Sequence, residues 1–265
     1  MPFVQVGDLR THYEISGKGA PLTLIMGLAG DLSWWERLLP ELQSDFRVLT
    51  FDNRGAGRTD KPNSNYTIAA MAADTEGLLE ALDIPQSHVF GISMGGMIAQ
   101  EFALLFPQRL NRLALGCTHP GGRGMRAPLP EAVQKLTETT GKSVREIAEN
   151  VMTVLFSASF RRRDPVCIQR LIELYVANPP SGRGFTRQFW ATLAHNAIDR
   201  LPTLTQPTLI ITGDADELIP SVNAQLLQSL IPLSKLVLMP GAGHLFFIEE
   251  PVETARLLKE HFLGA

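Results

Sequence analysis

Short runs of aliphatic and aromatic residues recur along the chain, most of them followed by a stretch in which apolar residues return every three or four positions. Residues 11–15 alternate as an edge strand, and Gly17-Lys18-Gly19 turns the chain back. Residues 22–26 and 47–51 read as buried strands, with a helix over 34–42 between them that starts near Asp31 or Ser33. A second helix spans 67–82, with Ala, Met and Leu on one face. A strand at 89–92 then runs into a helix over 97–106, and 110–116 is the next strand. The same rhythm closes the chain, with strands at 208–212 and 235–239, a helix at 221–230 between them and a final helix from 249 to about 262. Strands with neither clean alternation nor many charges belong to a sheet covered by helices on both faces. The pattern therefore predicts an α/β fold built on a mostly parallel sheet.

From about 120 to 201 the rhythm stops. Helical patches at 130–140, 144–156, 165–176 and 187–198 alternate with Gly and Pro clusters such as Asn178-Pro179-Pro180-Ser181-Gly182. A wholly helical excursion between two strands must lie over one end of the sheet. This one leaves after Cys117 and returns before Pro207. It is expected to be a cap of residues 120–201 on a core made of 1–119 and 202–265, placed above the strand ends that carry the site.

A length of 265 residues suits one α/β core with a modest insertion. Twenty-four Lys and Arg against 27 Asp and Glu leave a formal charge of −3, with no field of one sign to draw in nucleic acid. The one dense basic run, Arg161-Arg162-Arg163, is followed at once by Asp164 and reads as a solvated turn between helices. The two cysteines, Cys117 in a predicted core strand and Cys167 in a predicted helix, have the spacing of neither a zinc site nor a disulfide framework. The first ten residues lack a basic segment followed by an apolar one, and no apolar run approaches a membrane span. The expectation is a soluble cytoplasmic protein without cofactor or metal, with neither nucleic acid nor membrane as partner. Cap helices can also supply contacts for a homo-oligomer.

The chemistry concentrates at Gly91-Ile92-Ser93-Met94-Gly95-Gly96, where a short strand turns directly into a helix. Such a turn lifts a serine hydroxyl clear of the sheet edge, and the flanking glycines relieve the crowding of strand against helix. A serine nucleophile needs a base, and the base needs a partner that holds its tautomer. Of the six histidines, His244 lies in a turn just beyond a predicted parallel strand, Pro240-Gly241-Ala242-Gly243-His244. His88 opens the strand that leads to Ser93, which puts it roughly 16 Å away at the wrong end. His12 and His261 are expected at the surface. His119 could line a pocket, and His195 sits in the last cap helix. Asp216, in Gly213-Asp214-Ala215-Asp216-Glu217, reaches far enough into its loop to turn over the strand end. Asp214 is the alternative, or else a cap for its own loop amides, and Glu217 reads as solvated. The backbone N–H groups of Met94 and of Leu28, in Gly27-Leu28-Ala29-Gly30, are the candidate donors to a developing oxyanion.

These stretches, together with Phe51-Asp52-Asn53-Arg54-Gly55-Ala56-Gly57-Arg58-Thr59, resemble the α/β-hydrolase fold superfamily, and within it the cap-bearing esterase, enol-lactonase and cofactor-free haloperoxidase-like branch. The resemblance covers nearly all of the core and leaves out the cap. It implies an eight-stranded, mostly parallel sheet with a helical cap inserted after the sixth strand. It also implies Ser93 as nucleophile, Asp216 as acid, His244 as base and an oxyanion hole at Leu28 and Met94. Relatives usually carry His-Gly where this chain has Met26-Gly27, so the contacts that hold the oxyanion loop must differ here. Thr59 replaces a frequent serine, and Arg54 reads as a structural arginine tying loops together.

The expected reaction is hydrolysis of a small carboxylic ester or lactone through an acyl-enzyme on Ser93. Trp34, Trp35, His119, Phe156, Phe189, Trp190 and Leu245 are candidates for a pocket suited to an apolar or aryl group, with Phe246 beside them. Large residues of this kind also serve simply to glue cap to core. Arg123, Arg126 or Arg183 could anchor a substrate carboxylate. Carbon–carbon bond hydrolysis and perhydrolase or haloperoxidase-like chemistry use similar triads. A hydrolase-like signalling or ligand-binding protein with little turnover belongs to a different class and stays open.

Overall fold

The protein is described from a computed structural model covering residues 2–264. The chain enters through β1 (Phe3–Val6) and β2 (Leu9–Ser16), then forms β3 (Ala20–Ile25), the short helix α1 (Leu39–Leu42), β4 (Phe46–Phe51) and α2 (Ile68–Ala81). Next come β5 (Ser87–Ile92), α3 (Met94–Leu105) and β6 (Leu110–Gly116). The inserted helices follow: α4 (Pro130–Thr137), α5 (Val144–Leu155), α6 (Ala158–Arg163), α7 (Pro165–Ala177) and α8 (Gly182–Ala194). The chain ends with β7 (Thr208–Gly213), α9 (Val222–Leu230), β8 (Ser234–Met239), α10 (Phe246–Glu249) and α11 (Pro251–Leu263). Among the described residues the strands make one eight-stranded sheet in the order β1-β2-β4-β3-β5-β6-β7-β8. Within this sheet antiparallel pairing is confined to β1 with β2 and β2 with β4.

Two apolar layers sandwich the sheet, because successive side chains of a strand point to opposite faces. Phe90 and Ile92 of β5 join Trp35, Phe46, Phe246, Phe247 and Leu258 on one side. Val89 of the same strand joins Leu49, Leu78, Met97, Phe102 and Leu113 on the other. All six residues of β5 are buried, as expected for a central strand covered on both faces.

Register carries the fold into the site. Ile25 lies beside Gly91, Ile92 beside Gly116, and Gly213 beside Met239. The loops after β3, β5, β6, β7 and β8 therefore spring from one edge of the sheet, where open α/β folds bind ligands.

Several elements differ from the sequence expectation. β1 was not anticipated; its four residues were too short a run to stand out. The helix expected over 34–42 is a 3₁₀ turn, Leu32–Trp35, followed by the separate α1. Pro40 explains the break, since it lacks an N–H and fits only the first turn of a helix. Pro251 likewise divides the last helix into α10 and α11. α8 starts at Gly182, well before the expected 187, because the Ser181 hydroxyl accepts the Gly184 N–H and caps it. Arg161-Arg162-Arg163 is not a turn but the last turn of α6, where positive charge suits the helix dipole. Cys117 lies just past β6 rather than within it, with φ at +40°.

Candidate active site

Ser93 sits between β5 and α3 with φ 55° and ψ −124°, a backbone state that costs on the order of 1–3 kcal/mol and persists only where its surroundings impose it. Those surroundings are specific. The Ser93 N–H donates to the Gly116 carbonyl at 2.8 Å, and the Thr118 hydroxyl donates to the Ser93 carbonyl at 2.8 Å. A Cβ on Gly91 would run into the Gly95 carbonyl, and one on Gly95 into the Ile25 carbonyl. The paired glycines let strand and helix meet closely enough to hold the turn.

His244 is buried in the loop after β8, and its Nδ1 lies 2.8 Å from Asp216 Oδ2. The other oxygen of Asp216 accepts the N–H groups of Leu218 and Ile219, both at 2.8 Å, so the carboxylate is locked in direction. Burial opposes a charge on the imidazole, but the adjoining Asp216 carboxylate overrides it and holds the His244 pKa well above the ordinary histidine value. The buried Cys117 thiol is within hydrogen-bonding reach of the ring, and burial pushes its own pKa up. Ser93 and His244 line one cavity of about 110 Å³. Asp214 does something else: its Oδ1 accepts the Gly241 N–H at 2.6 Å and ties the β7 and β8 loops together. Glu217 is exposed.

The loop after β3 meets the same cavity through Met26, Gly27, Leu28, Ala29 and Gly30. Met94 is the first residue of α3, so no carbonyl one turn earlier can take its N–H, while its side chain packs into the core away from the cavity. The remaining walls are mostly apolar: Trp34, Ile92, Leu136, Val151, Leu155 and Leu174, with Tyr175, Phe185, Leu218 and Leu245. Among the described residues no Lys or Arg lines it. Asp31, Ser33 and Asn178 supply polarity, and they also line a neighbouring polar cavity of about 520 Å³.

Of the pocket candidates, Trp34 and Leu245 line the cavity and the others do not. Trp35 points into the core against Phe247, because adjacent residues of a 3₁₀ turn face different ways. Phe156 stacks on Phe160 in the core, and Phe189 lies behind Phe185, which takes the wall position. Trp190 is 64% exposed on the outer face of α8. His119 is buried away from the cavity, its Nδ1 accepting the Gly121 N–H at 3.1 Å. None of Arg123, Arg126 and Arg183 reaches the cavity wall. His12, expected at the surface, is buried with Nδ1 2.8 Å from Asp52, and His261 is half-buried with a ring nitrogen 2.9 Å from the Leu113 carbonyl. Arg54 pairs with Asp74 on α2.

Two buried side chains that fasten the site had no recognisable sequence signature. Glu249 accepts the N–H groups of Gly243 and Ser157, joining the His244 loop to the inserted helices. Gln188 does the same for the loop after β3. Among the described residues no group of three His, Cys, Asp or Glu side chains could hold a metal ion, and no helix is long and apolar enough to cross a membrane.

A family model described as the alpha/beta hydrolase fold matches residues 20–251. The chain belongs to this family. The enol-lactonase from Burkholderia xenovorans LB400 superposes on it with a TM-score of 0.87 at 28% identity, covering all of both chains. A thermophilic esterase from Thermogutta terrifontis gives 0.82 at 28% identity, covering 98% of this chain and 97% of that one. A poly(3-hydroxyalkanoate) depolymerase from Ectopseudomonas oleovorans is 29% identical over 90% of this α/β hydrolase and 82% of its own length.

Proposed function

We propose that this α/β hydrolase cleaves small carboxylic esters or lactones through an acyl-enzyme on Ser93, with His244 as base, Asp216 as its orienting carboxylate and the inserted residues 120–201 as a cap. The observation that carries the reading is the buried His244–Asp216 pair at 2.8 Å, whose His244 lines the same cavity as the strained Ser93. Relatives named as an enol-lactonase, an esterase and a depolymerase support the same class.

The substrate carbonyl sits near the Leu28 and Met94 amides. Ser93 Oγ bonds to the carbonyl carbon while His244 Nε2 takes the hydroxyl proton, and Asp216 stabilises the resulting imidazolium. The carbonyl oxygen becomes an anion facing the two N–H groups. When the tetrahedral adduct collapses, the bond to the leaving oxygen breaks and His244 returns its proton there. Water then attacks the acyl-Ser93 carbonyl, giving its proton to His244, and collapse frees the acid as the proton returns to Ser93.

The walls narrow the substrate. Apolar residues, and the absence of Lys or Arg among the described lining residues, favour an uncharged, apolar acyl group, and Asp31, which lines both cavities, disfavours an anionic one. The test is a panel of p-nitrophenyl esters, simple lactones and a vinylogous diketone run on wild type and Ser93→Ala. Esters or lactones turn over, neutral acyl groups outpace carboxylated ones, and Ser93→Ala loses at least about 10³-fold. Selective turnover of the diketone, or full activity in Ser93→Ala, contradicts the reading.

A further inference from the structure

Gln188 lies on α8, within the insertion, and is completely buried. Its Oε1 accepts the N–H of Ala29 at 2.7 Å, and its Nε2 donates to the carbonyl of Arg54 at 2.7 Å. One side chain thus bridges the loop after β3, the loop after β4 and a helix outside the sheet. Ala29 has φ +60°, a left-handed state uncommon for a residue with a side chain, so its place in the loop is held against its own preference.

The peptide units on either side of the Leu28 N–H are each held. Asn53 Nδ2 donates to the Met26 carbonyl at 2.8 Å. The Gly27 carbonyl, in the same peptide plane as the Leu28 N–H, accepts the Gly30 N–H at 3.3 Å. The next plane carries the Ala29 N–H that Gln188 receives. Because each residue has only two soft dihedrals, fixing the planes before and after Leu28 fixes where its N–H points. Close seating of α8 makes the bridge possible: a Cβ on Gly184 would strike the Gly55 carbonyl.

The geometry points to Gln188 as a positioning residue that holds the Leu28 N–H on the oxyanion through Ala29, so that the donor loop is complete only while α8 is seated. This inference rests on the proposed acyl-enzyme chemistry. It also supplies a hold for the oxyanion loop where Met26 stands. Lifting α8 would take from the half-buried Ala29 N–H its side-chain partner.

The test compares Gln188→Met, which keeps length and removes both bonds, with Arg187→Ala, which removes the neighbouring bonds from α8 to the Pro62 carbonyl and the Asn63 side chain and leaves the donor loop alone. With p-nitrophenyl butyrate, Gln188→Met is expected to lose roughly 10²-fold in kcat with KM changed less than about threefold, the cost of a misplaced oxyanion donor. Arg187→Ala keeps kcat within about twofold. Amide exchange of residues 26–32, read by mass spectrometry, accelerates in Gln188→Met alone. Should Gln188→Met fail to fold, Gln188→Asn, too short to span both loops, takes its place with the same expectations. Unchanged protection of 26–32, or equal losses of kcat in the two variants, overturns the inference. A wild type that neither acylates nor turns over esters removes the proposed chemistry and the donor role together, whereas active wild type with unchanged exchange removes only the tether.

Discussion

His244 carries two opposed demands. Burial penalises its charged form, while Asp216, fixed by the Leu218 and Ile219 amides, favours it, and the carboxylate prevails. A general base works only when neutral. Because the raised pKa puts deprotonation above the usual histidine range, kcat/KM for an ester is expected to fall on the acid side at a pH above about 6.5. Asp216→Asn removes the favouring charge. Its acid limb is expected to move to lower pH while the maximal rate drops by about 10⁴-fold, as loss of the orienting carboxylate does in such triads. A pH profile in which the limb stays put contradicts the coupling. At this scale Ser93, Asp216 and His244 were legible because each occupies a turn whose backbone demands are written in neighbouring residues. The cavity walls were not. Trp34 and Trp35 are adjacent and chemically alike, yet only the first lines the cavity, and nothing local says which way a 3₁₀ turn will face them.

Among the elements, the β5–α3 turn is the most constrained. Gly95 has the Ile25 and Met26 carbonyls against the place where a Cβ would stand, and backbone cannot swing aside as a side chain can. Gly95→Ala is therefore expected to cost about 1–3 kcal/mol through overpacking. For a chain of this size that lowers Tm by roughly 2–6 °C. Calorimetry checks it, and a variant with wild-type Tm and wild-type ester turnover would show that the turn has slack. The parallel strands and the helices beside them were readable because an apolar run bounded by turn residues has few alternatives. α8 was harder to place: its first turn carries two glycines, Gly182 and Gly184, poor helix formers that become helical because Ser181 caps the turn and Gly55 packs against it. Gln188 and Glu249 carry no mark in the local sequence. Their partners lie on loops distant in sequence, and no periodicity marks a polar residue that is buried for its hydrogen bonds.

At the scale of the whole molecule, four histidines outside the site are held in the neutral form. Burial lowers the pKa values of His88, His119, His195 and His261 to about 4; Glu101 favours charge on His195, but burial outweighs it. An unfolded chain takes up those protons near pH 6.5 and the folded chain does not, so stability is intact above about 6.5 and drains away as pH falls toward 4. His119 and His195, both buried, each account for on the order of 3 kcal/mol of that loss. Urea midpoints are expected to drop between pH 7 and pH 5, and to drop less in His195→Gln; equal midpoints at the two pH values would refute this. The central claim, however, concerns how three stretches of chain far apart in sequence converge on one carbonyl. Treatment with a fluorophosphonate, digestion and peptide mass mapping tests it most directly. The account predicts a single adduct on Ser93, formed rapidly in wild type and at least about 10³-fold more slowly in His244→Ala. A folded protein that leaves Ser93 unmodified, or labels it equally fast without His244, would contradict it.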